Sequence, residues 1–288
     1  MRSRNYRWTC FATECSGADM DSEPGHGRAH FVGKWLQREP EMQFALVFCT
    51  GRGRGPRQSE ESAREGFEAW GALLHELRET LFELSDARVS RIKTEWWSGE
   101  LAGLAAGTAR HPLTASLRGL PQTAMAPWPR LARTLLEHDF EATPALDTAG
   151  AIDALLPLAE SVIAVESALF ERSPSPAHAR SLAVHWLLHR LPAGLQASDQ
   201  ARLPMQMLAR HGLAAAQLGD ADSSPLLRDW GRELAAAQAD DVPGASYFRR
   251  SRHRFDRARL QRLQAGAAAG EPPAPASLWR AWRAALAP

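Results

Sequence analysis

Lysine occurs only at Lys34 and Lys93 in this 288-residue chain, and tyrosine only at Tyr6 and Tyr247. The first scarcity reads as codon bias without functional weight. The second, beside abundant alanine, leucine and arginine, favours helix over sheet on intrinsic propensity. Cysteine is sparse too: Cys10, Cys15 and Cys49 form no CxxC spacing and are too few for a disulfide framework. A reducing cytoplasm is the expected compartment. No uninterrupted apolar run approaches the ~18 residues of a spanning helix, so the expectation is a chain that associates at most peripherally with the inner membrane. Neither sign of charge dominates, with 34 Lys and Arg against 33 Asp and Glu. No whole-molecule field draws nucleic acid or an anionic surface, and no nucleic-acid partner is expected.

What is present is helical pattern. Phe67, Trp70, Leu73, Leu74, Leu77, Leu81 and Leu84 recur at steps of three and four, one face of a long helix. A second helix is predicted from Asp86 as N-cap to Ala106, ended by Gly107 and Pro112. Further helical patterns cover about 128–138, 149–171, 177–191, 204–218, 224–239, 246–265 and 276–286, and nothing alternates like a strand for long. The breaks GRGRGPRQ, SPSP, SDQARLP and GEPPAPAS are brief, as in a compact all-α domain of antiparallel helices. GRGRGPRQ lacks the Lys-Ser/Thr of a phosphate loop. The basic opening lacks a signal peptide's apolar core, and because Met20 opens a more ordinary sequence, residues 1–27 read as a disordered tail or a mis-assigned start. Residues 28–268 read as the helical domain, and 269–288 as a Pro-rich linker with a terminal helix.

Taken in order, IKTEWWSGELAGLAAGTARHPL (92–113), LLPLAESVIAVESALF (155–170) and ARLPMQMLARHGL (201–213) resemble the squalene and phytoene synthase family, the all-helical head-to-head prenyltransferases. The likeness covers about residues 30–265. It rests most on Trp96, Trp97, Glu100, Leu101 and His111-Pro112-Leu113; ARLPMQMLARHG is similar to the Tyr-Leu-Pro loop and helix that close the family's active site. The resemblance implies a single-domain helical bundle around a central cavity. Both tryptophan rings are expected to pack between helices, with Gly103, Ala105 and Ala106 admitting a neighbouring helix.

In that family Mg²⁺ bridges an allylic diphosphate to acids on two facing helices, hard oxygen ligands one turn apart. On the helix of ALLHELRETLFEL the resemblance points to Glu76 and Glu79 as the remaining acids, with Arg78 where a paired aspartate would stand. At the second acidic position it points to Glu137 and Asp139, with Leu135 one turn upstream. Glu76, Glu79 and Asp139 are thus the catalytic candidates, and Glu79, Glu137 and Asp139 the metal candidates. At the third, SLAVHWLLHRLP retains Arg190 while Leu191 replaces the following acid. His185 and His189, at i and i+4, line the same face. Read from the residues alone, they are partly buried hydrogen-bonded histidines, pocket-lining polar groups, or a transition-metal pair for which the sequence offers no third ligand. Arg78, Arg190, His185 and His189 are the substrate-binding candidates; Arg78 and Arg190 could also grip a diphosphate without metal.

Three losses of acid imply impaired diphosphate ionisation, with Mg²⁺ required only if activity remains. Leu73, Leu77, Ile152, Leu155, Val162 and Ile163 are expected to wall a retained prenyl pocket. The leading expectation is a prenyl-synthase relative that binds an isoprenoid or other lipid, or a protein partner as a scaffold. The phytoene-synthase-like assembly factor of mitochondrial respiratory complex I is a precedent in kind. The alternative is an active Mg²⁺-dependent transferase joining two prenyl diphosphates. Glu166 falls on an apolar helical face, where a carboxylate must pair with an arginine or mark the cavity. The arginine-rich run from Phe248 to Arg262 reads chiefly as a solvated face, or else as one meeting acidic partners or anionic headgroups.

Overall fold

The structure is a computed structural model that describes residues 24–50, 59–84, 86–118, 125–138, 144–189, 203–213, 224–266 and 274–286. Among these residues every regular element is a helix: α1 (Pro24–Arg38), α2 (Met42–Leu46), α3 (Glu60–Phe82), α4 (Ala87–Ala105), α5 (Pro112–Leu117), α6 (Trp128–Leu136), α7 (Thr148–Leu169), α8 (Pro176–Leu188), α9 (Met205–Arg210), α10 (Ser224–Ala237), α11 (Tyr247–Gln264) and α12 (Ala274–Leu286). The all-α expectation holds.

The helix starts follow local chemistry. Ser59 Oγ accepts from Ser62 N, Asp86 Oδ1 from Arg88 N and Asp147 Oδ1 from Gly150 N, each satisfying a backbone donor that the first turn leaves open. Pro176 sits in the first turn of α8 behind the Ser175 cap, where its missing N–H costs nothing. α8 ends three residues and α9 eight residues earlier than the periodicity predicts; residues 190–202 and 214–223 lie outside the described part. α12 begins at Ala274, inside the stretch read as linker, because Pro is compatible with a helix's opening turn.

Packing follows the apolar faces. α3 lies against α1, α4 and α5; α4 against α6; α7 against α6 and α8; and α11 against α8, α10 and α12. The shared core holds Trp35, Phe67, Trp70, Trp128, Tyr247 and Phe248, with Phe67 edge-on to Phe248 at 4.9 Å and Trp70 edge-on to Trp128 at 6.0 Å. Gly71 is what lets α1 approach α3: a Cβ there would stand 2.3 Å from the Trp35 ring. Leu73, Leu77, Ile152, Val162 and Ile163 are buried in this core and Leu155 packs against it. α7 has the length and composition of a spanning helix, with mean hydropathy 1.5, and half of that window is buried in the bundle, as suits a core helix.

The Trp-Trp stretch differs from expectation. Trp97 is buried, but Trp96 is 51% exposed and rests edge-on against Trp97 and His111. Gly103 does not admit a helix either. It receives the returning turn, a Cβ there lying 3.1 Å from Thr108 Oγ1. Glu100 supplies the logic of the motif: its Oε1 accepts from Arg110 N, His111 N and Thr114 Oγ1, so one carboxylate folds the Arg-His-Pro turn back and starts α5. Those donors, set against its burial, hold it below the usual carboxylate range.

Candidate functional site

α11 carries seven arginines between Arg249 and Arg262, and the structure overturns their reading as a solvated face. Arg249, Arg250 and Arg252 are buried, because acids and carbonyls from distant helices converge on them. Arg249 Nη2 donates to Glu166 Oε2 at 2.5 Å; Trp70 Nε1 and Ser246 Oγ donate to the same carboxylate. Glu166 therefore takes the arginine-paired alternative. Burial opposes its charge, and Arg249 overcomes that, holding it below the usual range. Arg250 donates to the carbonyls of Ala245 and Ala284, and its burial pulls it down to about 10.

One turn further along, the polar centre of the molecule is built around Glu39, in the turn between α1 and α2. Its Oε1 accepts from Arg78 Nη1 at 2.6 Å and its Oε2 from Arg252 Nη2 at 2.5 Å. Arg252 also stands 4.9 Å over the Phe248 ring. Arg78 completes its fork with Glu83 Oε1 at 3.2 Å and His75 Nδ1 at 2.8 Å. From α8, His185 Nδ1 meets Asp256 at 2.9 Å, and His189 Nε2 lies 3.4 Å from Glu83. Arg259 pairs with Glu41 and reaches Asp256 at 3.8 Å; Arg38 reaches Glu83 at 3.9 Å from the rim.

The electrostatics follow from what each charge faces. Burial disfavours the Glu39 carboxylate, yet Arg252 and Arg78 hold it well below the ordinary range. Burial pushes Asp256 up to about 6 against the pull of Arg259 and Arg252, and Glu41 is also raised by burial. Burial with the nearby guanidiniums keeps His185 and His189 neutral, both well below 6.5. His75 falls to about 4 for the same reasons.

The sequence candidates separate into different fates. Glu76 and Glu79 come together, and the Lys34 ammonium sits between them, 2.9 Å from Glu76 Oε1 and 2.5 Å from Glu79 Oε2. Burial lowers the lysine's affinity for its proton, and the two carboxylates more than restore it. Magnesium, which the resemblance implies, does not fit this pair, since the Lys34 ammonium stands between the two acids, where an ion shared by them would sit. Arg78 is buried with all three guanidinium nitrogens engaged inside the protein. Glu137 is exposed at the end of α6 and Leu135 is buried there. Asp139, Arg190 and Leu191 lie outside the described residues. His185 and His189 do converge, their ring centroids 5.9 Å apart.

Sequence reasoning missed Glu39, Glu41, Glu83, Arg252 and Asp256. Their signal was weak: Glu39 and Arg252 are 213 residues apart, and no local period links them. Comparison of the chain with known protein families and with curated proteins finds no match.

Proposed function

We propose that this chain is a squalene/phytoene synthase-like protein of isoprenoid metabolism that has given up magnesium-dependent ionisation and binds an isoprenoid or related lipid. The observation that carries this reading is Lys34, seated between Glu76 and Glu79. A tethered ammonium there balances the two acids that would otherwise recruit a dication, at no cost in free metal. Arg78, tied to Glu39 and Glu83, reinforces it, because a guanidinium on the acid-bearing helix opposes a second metal charge.

The lipid part of the reading draws on α12. Leu278, Trp279, Trp282 and Leu286 are exposed along it, with the two indoles 4.7 Å apart. Beside them Arg254, Arg257, Arg280 and Arg283 line an open cleft of about 480 Å³ that also holds Asp240 and Asp241. Exposed tryptophan flanked by arginine suits the boundary between acyl chains and anionic headgroups, where an isoprenoid would be met.

The test is to incubate the purified full chain with farnesyl or geranylgeranyl diphosphate and Mg²⁺, following pyrophosphate release, hydrocarbon products and the thermal midpoint. Stabilisation by the diphosphate without turnover is expected. Pyrophosphate with a head-to-head hydrocarbon would establish the active transferase instead, and neither stabilisation nor turnover would leave a protein scaffold as the better account.

A further inference from the structure

The polar centre contains two buried nitrogen lone pairs that have no partner among the described residues. His185 Nδ1 faces both oxygens of the Asp256 carboxylate, an acceptor, so the ring proton sits on Nδ1 and Nε2 is bare. His189 Nε2 faces Glu83, so its proton sits there and Nδ1 is bare. Both bare nitrogens are buried without a partner, and their side chains are only 1% and 9% exposed. Buried polar atoms are nearly always satisfied, and two lone pairs cannot satisfy each other.

The third group is Glu39. One ligand atom from each of Glu39, His185 and His189 lies within 4.8 Å of the others. Glu39 Oε2 accepts twice from Arg252 and Oε1 once from Arg78, so of a carboxylate's about four lone-pair sites one on Oε1 is left for a cation. Each histidine is also backed by a carboxylate on its far nitrogen, the arrangement that fixes the tautomer and ring orientation of metal-binding imidazoles.

We propose that Glu39, His185 and His189 form a binding site for one divalent transition-metal ion, Zn²⁺ foremost, with Asp256 and Glu83 as positioning residues. Two imidazoles and a carboxylate suit zinc and its neighbours in the first transition row, whereas magnesium and calcium prefer oxygen alone. Ligand atoms sharing zinc at about 2.1 Å stand roughly 3.4 Å apart in a tetrahedron, so from separations within 4.8 Å loading draws the ligand atoms together by at most about 1.4 Å. The ion would join the α1–α2 turn to α8, with α3 and α11 braced behind it.

The neighbouring trio His75, Glu76 and Glu79 also brings ligand atoms within 4.8 Å, but it differs in kind. Arg78 donates to His75 Nδ1, so the remaining His75 nitrogen carries the proton and offers no lone pair. Lys34 takes both acids besides.

The experiment uses tag-free full-length protein, stripped with chelator, then given one equivalent of Zn²⁺ or Co²⁺ and desalted. Elemental analysis is expected to find about one ion per chain, and Co²⁺ to show visible d–d bands of a nitrogen-containing site. His189→Ala, at the end of α8, is expected to weaken binding by at least tenfold, and Asp256→Asn by about 10- to 100-fold. Zn²⁺ is expected to raise the thermal midpoint of the unaltered protein, and Mg²⁺ to leave it unchanged. The proposal is overturned if the unaltered protein retains no stoichiometric Zn²⁺ or Co²⁺, or if His189→Ala holds the ion as tightly.

Discussion

Replacing Arg249 with methionine removes the cation from a carboxylate that has nowhere else to go. Glu166 and Arg249 are both essentially inaccessible and 2.5 Å apart; Trp70 and Ser246 can donate hydrogen bonds but carry no charge. Breaking a buried pair from one side costs about 3–5 kcal/mol, a large part of the 5–15 kcal/mol that holds a typical domain together. The pH dependence gives the mechanism its signature. In the native protein Glu166 lies below its ordinary value, so its contribution is present above about pH 4.5 and fades as pH falls through its folded value. In Arg249→Met, desolvation outweighs the remaining Trp70 and Ser246 hydrogen bonds and raises the group, so stability falls as pH rises through 4.5. The gap between the two proteins should therefore narrow in acid, by up to about 1.4 kcal/mol per pH unit. Urea denaturation from pH 4 to 8 measures it, and adding Glu166→Gln should recover most of the loss. A cost under ~1 kcal/mol, or parallel pH profiles, would refute the reasoning.

Other consequences can be checked independently. His75 falls from 6.5 to about 4 and His185 and His189 lie well below 6.5, so the unfolded chain binds their protons first and stability drops as pH falls from 6.5 toward 4. Asp256, raised from 3.8 to about 6, works the other way in that window. Glu41 is raised too, but His111 and His253 also lie below 6.5, so five histidines against two acids leave a net loss in acid, visible as a lower thermal midpoint at pH 5 than at pH 7. Gly71→Ala puts a methyl 2.3 Å from the ring of a fully buried tryptophan and should destabilise by about 1–3 kcal/mol in denaturant titration; an unchanged midpoint would show that α1 can shift. Trp279→Ala with Trp282→Ala, on an exposed face, should leave the melt unchanged and cut co-sedimentation with anionic vesicles severalfold. Equal sedimentation would remove α12 from the lipid reading.

The helices were legible wherever a face repeats at three and four residues and a cap precedes it, as at Asp86 and along Phe67 to Leu81. α1, α2 and α5 escaped: α2 and α5 have only five and six residues, too short for a period to register. α1 begins in the stretch read as a tail. Glu166 was legible as a carboxylate in need of an arginine because its helical face is otherwise apolar. The arginines that answer such acids were not, because an arginine-rich helix looks solvated until its partners are known. Glu100 was recognised as part of a motif, but its work as an acceptor for three donors needed coordinates. His185 and His189 were visible as a pair, while Glu39 is supplied from another part of the chain.

The pairing of Glu39 with Arg252 and of Glu41 with Arg259 also constrains how the chain can be made and cut. Helix α11 is too polar to sit inside the bundle before those acids are in place, and the acids are stranded until α11 emerges from the ribosome. Closure therefore needs contacts spanning more than 200 residues, the kind of long-range pairing expected to slow folding. A fragment cut between α2 and α11 holds only one half of this clasp, so each piece is expected to be less stable than the uncut chain.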